Sequence, residues 1–147
     1  MSNKILPRPI LVISLAILLM ISTILVGCGG GSSSQTINVS MSEFALNISP
    51  TTVSSGEVVF KVSNSGMLGH DFLLVSTAES PESLPYNEEN AQIIEEQVTV
   101  VSSIRELQKG ETAEITANLS PGKYMLICNI AGHFSSGMHL IIDVTAN

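Results

Sequence analysis

From Gln35 onward, the chain consists of short apolar runs separated by turn residues. At residues 36–41 the order T-I-N-V-S-M alternates, so Ile37, Val39 and Met41 fall on one face of an extended strand. Similar runs follow at residues 58–62, 72–75, 98–101, 113–117, 124–128 and 140–144. This spacing predicts an all-β fold of about seven or eight strands, arranged as an antiparallel Greek-key β-sandwich or barrel.

Turn-forming residues divide these runs, among them Ser49-Pro50, Asn64-Ser65-Gly66 and Ser120-Pro121-Gly122. One longer interval, residues 76–97, departs from the strand rhythm and shows at most a weak helical pattern near its end. It holds six glutamates, at positions 79, 82, 88, 89, 95 and 96. The composition predicts a solvated acidic excursion, and a docking surface for a basic partner is the alternative.

The N-terminus has the pattern of an export signal. Lys4 and Arg8 precede an uncharged run at residues 10–26, which leads to Cys28 through Leu-Val-Gly. This ending resembles the bacterial lipobox, where the chain is cut before the cysteine and the cysteine is lipidated. We predict a signal peptide at 1–27, lipidation at Cys28, a flexible Gly/Ser linker at 28–35 and one domain at 36–147. An uncleaved membrane anchor and a buried core helix are the alternatives.

Charge and composition argue against nucleic-acid binding. The formal net charge is −7, aromatic residues make up 4%, and tryptophan is absent. Removal of residues 1–27 would leave four cations against thirteen anions, a net charge of −9. If Cys28 is lipidated, Cys128 is the one remaining thiol. Outside the cytoplasm a lone thiol is exposed to oxidation, and a bound metal would give its thiolate a role.

A potential metal site stands near the C-terminus, where Cys128, His133 and Met138 follow the spacing C-x4-H-x4-M. Thiolate and thioether favour copper(I), whereas imidazole suits both copper oxidation states. Three ligands from one loop leave one side of a metal ion open, so a fourth ligand must come from elsewhere. His70 is the one histidine distant from this segment. Each residue also has an interpretation without a metal: Cys128 as a buried thiol, His70 as an ordinary loop histidine and Met138 as a core methionine. His139 is a poor candidate, since strand alternation points it away from Met138.

Together these residues resemble the cupredoxins, the small blue copper proteins. The resemblance covers roughly residues 36–147, and the ligand spacing is most similar to that of rusticyanins, sulfocyanins and auracyanins. It implies a cupredoxin-like sandwich that holds one copper ion. The implied equatorial ligands are His70, Cys128 and His133, with Met138 as a long axial ligand. A weak fifth contact from the carbonyl of Gly69 is left open.

The sequence departs from the family pattern at Asp71. The family usually has an asparagine after the first histidine, and its side chain ties that segment to the cysteine loop. An ionised carboxylate accepts hydrogen bonds but cannot donate them. We therefore expect the surroundings of the ligands to differ from the family, while the ligand set stays the same.

Four protein ligands leave no open coordination position, so electron transfer is expected rather than catalysis. The expected electron port is His133, inside an apolar patch formed by residues 67, 68, 130, 131 and 134. The acidic chain favours a basic cytochrome or a respiratory or photosynthetic membrane complex as redox partner. We expect the protein to be exported and lipid-anchored at the extracytoplasmic membrane face. A copper-delivery protein is the alternative, and a Cys-His hydrolase would leave the methionine spacing unexplained.

Overall fold

The computed structural model describes residues 34–147; the predicted signal peptide, Cys28 and most of the predicted linker lie outside the described residues. Over this range the chain is a β-sandwich without α-helices, so the all-β prediction is confirmed. The strands are β1 (Gln35–Ser42), β2 (Ala45–Ser49), β3 (Val53–Ser54), β4 (Gly56–Asn64), β5 (His70–Ser76), β6 (Tyr86–Asn87), β7 (Gln92–Ile93), β8 (Thr99–Leu107), β9 (Thr112–Leu119), β10 (Gly122–Ile127) and β11 (His139–Thr145). Two 3-10 turns, Pro81–Ser83 and Glu95–Gln97, lie between β5 and β8.

The two main sheets have the strand orders β2-β1-β4-β9 and β3-β11-β10-β5-β8, and β6 and β7 form a separate small hairpin. Most neighbouring strands are antiparallel, but β1 is parallel to β4, and β11 is parallel to β3. The predicted β-sandwich is therefore confirmed, and its sheets are mixed rather than purely antiparallel. After β2 the chain crosses to the other sheet as β3 and returns as β4. Such a crossover, unlike a hairpin, lets two strands of one sheet run in the same direction.

The main core lies between the two sheets and follows the alternation seen in the sequence. Ile37, Val39 and Met41 of β1 are buried, as predicted, and pack with Phe60 of β4 and Phe72 of β5. Burying such side chains stabilises the fold by about 1.5–3 kcal/mol each. The two rings, Phe60 and Phe72, lie 5.6 Å apart at their centroids, between the sheets.

A second, smaller core lies on the outer face of the five-stranded sheet. Leu73 of β5 and Met125 of β10 point to this face, where Leu84 and Ile93 of the excursion cover them. Strands β5 and β10 are thus buried on both faces, which explains their unbroken apolar runs. The prediction of a solvated excursion is correct for most of its glutamates but missed its apolar underside. Among residues 34–147 there is no helix with the length and apolar character needed to span a bilayer.

Candidate metal centre

The loop between β10 and β11 brings three of the predicted ligands together. The N–H of Cys128 donates to the carbonyl of Met138 over 3.1 Å, and the N–H of Met138 donates to the carbonyl of His133 over 3.0 Å. Gly132 and Gly137 have φ angles of 80° and 95°, a region that side chains disfavour. The loop therefore closes at its base and turns back twice, so that Cys128 and His133 face the same point.

His70, at the start of β5, completes the cluster from the neighbouring strand. Its Nδ1 lies 3.3 Å from Nδ1 of His133 and 3.8 Å from Sγ of Cys128, and the Cys128 Sγ lies 3.3 Å from the His133 Nδ1. Three donor atoms spread around one small cation at about 2.0–2.3 Å would lie about 3.3–4 Å from one another. The three buried donor atoms thus fit one ion.

Met138 is fully buried and belongs to the same packed cluster as Cys128, consistent with its predicted axial place. Gly69 is half-buried directly before His70, and its carbonyl contact remains a prediction. His139 is not part of the ligand cluster, because its ring packs against Phe134 at a centroid distance of 4.9 Å. The exposed Met67 contacts Nζ of Lys109 through its sulfur. The structure therefore brings His70, Cys128 and His133 together, with Met138 in the same packed cluster as Cys128.

Burial controls the protonation of the cluster. It raises the pKa of the Cys128 thiol, and the neighbouring backbone N–H groups of Ile130 and Asp71 oppose this only in part. The pKa of His70 is lowered, first by burial and then by the nearby His133. Both shifts favour neutral groups in the copper-free protein. A bound cation reverses the preference of the thiol, because it stabilises the thiolate.

The loop before His70 is fixed by a buried asparagine that the sequence suggested only as a turn residue. The Asn64 amide donates to the carbonyls of Leu68 and Leu107 over 2.7 and 2.9 Å, and its oxygen accepts the N–H of Gly66 over 2.9 Å. From the other side, the Glu43 carboxylate accepts the N–H groups of Met67 and Leu68. These backbone hydrogen bonds lower the pKa of Glu43.

Asp71, the departure from the family pattern, contacts the cluster through its backbone and an arginine through its side chain. Its N–H points at the Cys128 Sγ over 3.4 Å. Its carboxylate accepts the N–H of Glu106 over 3.0 Å and pairs with Arg105 over 3.2 Å. The carboxylate therefore makes no direct bond to the cysteine loop; instead it is held by β8.

The predicted apolar patch around His133 is only partly correct. Met67 and Leu68 are 69% and 48% exposed, as expected, but Phe134 is buried in the second core. A residue that the sequence did not suggest, Phe44 of the β1–β2 turn, takes its place. Phe44 is 47% exposed, and its ring meets the His133 ring edge to face, with centroids 5.5 Å apart.

Two imidazoles, one thiolate and a buried thioether form the donor set of a mononuclear type 1 copper site. The β-sandwich and this site define the class: the protein is a cupredoxin that holds one copper ion and transfers electrons.

The family described as Sulfocyanin (SoxE) domain matches residues 22–147, and the chain belongs to this family. An auracyanin from the photosynthetic bacterium Roseiflexus castenholzii is 20% identical, with a TM-score of 0.61 over 76% of this chain and 97% of that one. Rusticyanin from Thiobacillus ferrooxidans is 19% identical, with a TM-score of 0.56 over 77% and 79%. Auracyanin A, a "blue" copper protein from Chloroflexus aurantiacus, is 21% identical, with a TM-score of 0.53 over 78% and 99%. No protein among the curated ones matches the chain.

Sequence reasoning missed several residues that support the ligands, above all Phe44, Asn64, Glu95 and Arg105. Phe44, Glu95 and Arg105 lie far along the chain from the ligands they support, whereas Asn64 precedes His70 closely but was named only as a turn residue. Asn129 was the one with a local signal, since it follows Cys128 directly.

Proposed function

We propose that the protein carries single electrons between redox partners outside the cytoplasm, while a lipid anchor holds it at the membrane. The observation that supports this most is the unequal exposure of the clustered ligands. His70 and Cys128 are 0% exposed, whereas His133 reaches the surface with 7% of its area. Copper, when bound, supplies a one-electron couple, and His133 offers the short route from it to a partner.

The surface around His133 suits brief encounters. Phe44 lies beside the ring, and the exposed Met67 and Leu68 extend this apolar patch, because their N–H groups bind Glu43, the residue before Phe44. Redox complexes use small interfaces, so that a partner binds and leaves quickly. A patch of this size supports contact over a short distance without a long-lived complex.

The charge of the chain favours a basic partner, such as a basic cytochrome or a cationic face of a respiratory or photosynthetic complex. Residues 76–97 contain six glutamates and no lysine or arginine. Five of the six are exposed, and this segment contacts the ligand loop through Ile93 and Asn129. A negative surface beside the port would raise the association rate with a basic partner, and the effect would fall with salt.

The membrane anchor rests on the sequence of residues 1–28. Mass spectrometry of protein extracted from membranes should show loss of residues 1–27 and added acyl mass on Cys28. An intact Met1, or an unmodified Cys28 at the new N-terminus, would contradict the anchor without affecting the copper site.

Colour tests the thiolate ligand. A copper(II) ion bound to the Cys128 thiolate should give an intense visible band, and Cys128→Ser should abolish it while the fold persists. A serine variant that keeps the intense band would refute the role of Cys128.

A redox titration combined with chelator competition separates the electron carrier from the copper-delivery alternative. Met138→Gln replaces a thioether by a harder oxygen ligand, which favours copper(II) and should lower the reduction potential while copper stays bound. His70→Ala, by contrast, should weaken copper retention strongly. If the glutamine variant keeps the wild-type potential, or if wild type gives up copper to a moderate chelator within minutes, copper delivery is the better interpretation.

A further inference from the structure

A chain of hydrogen bonds outside the ligand cluster links the residues that follow two of the ligands. Asp71 follows His70 on β5, and Asn129 follows Cys128 in the loop after β10. Between them lie Arg105 of β8 and Glu95 of the excursion.

Arg105 forms the centre of this chain. Its Nη1 donates to Oδ2 of Asp71 over 3.2 Å and to Oε1 of Glu95 over 2.9 Å, while its Nη2 binds the second oxygen of Glu95. The pair with Glu95 is thus bidentate, the geometry that fixes a guanidinium most firmly. The Arg105 pKa is raised, mainly by its hydrogen bond to Glu95, and the Glu95 pKa is lowered, mainly by the same bond.

Glu95 continues the chain to the cysteine loop. Its Oε1 accepts a hydrogen bond from the Asn129 amide over 2.7 Å. Asn129 is buried, and it also exchanges hydrogen bonds with the backbone of Ile93, over 2.8 and 3.2 Å. The residue next to Cys128 is therefore anchored in the excursion, and through Glu95 and Arg105 it is tied to the residue next to His70.

The charges along this chain alternate: Asp71 is negative, Arg105 positive and Glu95 negative. Only 12% of the Asp71 side chain and 27% of the Glu95 side chain are exposed, so solvent screens these charges incompletely. A carboxylate beside a ligand favours copper(II), and a guanidinium that pairs with it weakens this effect. Arg105 therefore opposes the charge that Asp71 introduces.

We propose that Arg105 and Glu95 are positioning residues, which hold the first-histidine segment and the cysteine loop together and make a carboxylate at Asp71 compatible with the site. The expected effect on the reduction potential rests on the electron-carrier function proposed above. The geometric part, that the bridge fixes the ligand spacing, depends only on copper binding.

Three variants of the full chain, each loaded with copper, test the bridge by visible spectrum, electron paramagnetic resonance and redox titration. Arg105→Gln leaves Asp71 without its cation and should lower the potential and change the copper(II) spectrum. Glu95→Gln removes a negative charge and should raise the potential. The double variant Asp71→Asn/Arg105→Gln should return toward wild type, because a neutral amide needs no cation.

Lys123→Gln is the matched control, since it removes an exposed ion pair with Asp143 at the far end of β10 from Cys128. The bridge is refuted if Arg105→Gln matches this control in both potential and spectrum, or if the double variant keeps the potential and the spectrum of Arg105→Gln. Should Arg105→Gln fail to fold, Arg105→Lys and Glu95→Gln carry the same comparison. Arg105→Lys keeps the charge but loses the two-pronged contact of the guanidinium with Glu95. Its potential should therefore stay near the wild-type value, while its spectrum should change.

These results are separable from a failure of the electron-carrier proposal. Rapid loss of copper from wild type to a chelator would contradict that proposal. The spectral change in Arg105→Gln, and its rescue by Asp71→Asn, would still report whether the bridge positions the ligands.

Discussion

Replacing Asn64 by alanine should destabilise the protein at the loop that carries His70. The substitution removes three hydrogen bonds and leaves the backbone bonds of residue 64, to Gly110 and Glu111, in place. Two of the lost bonds are buried, those to the carbonyl of Leu107 and the N–H of Gly66. The third partner, the carbonyl of Leu68, lies near the surface and can bind water instead.

The size of the effect follows from this division. A buried polar group left without a partner costs about 1–3 kcal/mol, whereas a group that regains water costs little. Two buried groups therefore give a loss of about 2–6 kcal/mol in the free energy of unfolding. This is a large part of the ~5–15 kcal/mol that holds a typical domain together. For a domain of this size the melting temperature should fall by on the order of 15 °C.

Urea unfolding of the copper-free protein measures this loss directly, and stopped-flow chelation measures copper release from the loaded form, which should be faster in the variant. Asn38→Ala is the control, since it removes one exposed hydrogen bond of 3.4 Å. Asn64→Asp should be at least as destabilising as Asn64→Ala at neutral pH, because it turns a carboxylate toward two carbonyls. A loss below about 1 kcal/mol for Asn64→Ala would refute the reasoning that these buried bonds hold the loop.

Three further predictions concern the surroundings of the site. The Glu43 pKa is lowered from its ordinary value of 4.5. The stability that wild type gains over Glu43→Gln should therefore be full above about pH 4.5 and vanish as the pH falls through the lower folded value, measured by urea midpoints; a constant difference would contradict it. Phe44→Ala should slow electron exchange with a small redox partner in stopped-flow mixing while potential and spectrum stay unchanged, because Phe44 lies beside His133 at the surface. Bound copper should raise the melting temperature above that of the copper-free protein, by an amount that grows with the free copper concentration, because a ligand that binds only the folded state stabilises it by mass action. A melting temperature in calorimetry that does not change with copper concentration would argue against this.

Short apolar runs between turn residues predicted most of the strands, and a strand that is buried on one face also records its burial as alternation. This holds for β1, where Ile37, Val39 and Met41 are buried as expected. The short strands β2 and β3 escaped prediction, since Ala45–Ser49 and Val53–Ser54 bury few side chains. The parallel pairing of β1 with β4 escaped as well, because the direction of a neighbouring strand depends on the crossover and not on either strand's pattern.

The loop ligands could be identified from the sequence because Cys128, His133 and Met138 lie within one short segment. There the spacing and the donor chemistry together indicate a metal site. His70 was within reach because histidines are rare in this chain. What surrounds the ligands was decided by tertiary structure alone. Arg105 reaches Asp71 and Glu95 only after β8 pairs with β5 and the excursion folds over the sheet, and Phe44 reaches His133 only through the β1–β2 turn. Contacts between residues so far apart in the chain leave no local sequence pattern, because the two side chains come together only when the sheets are assembled.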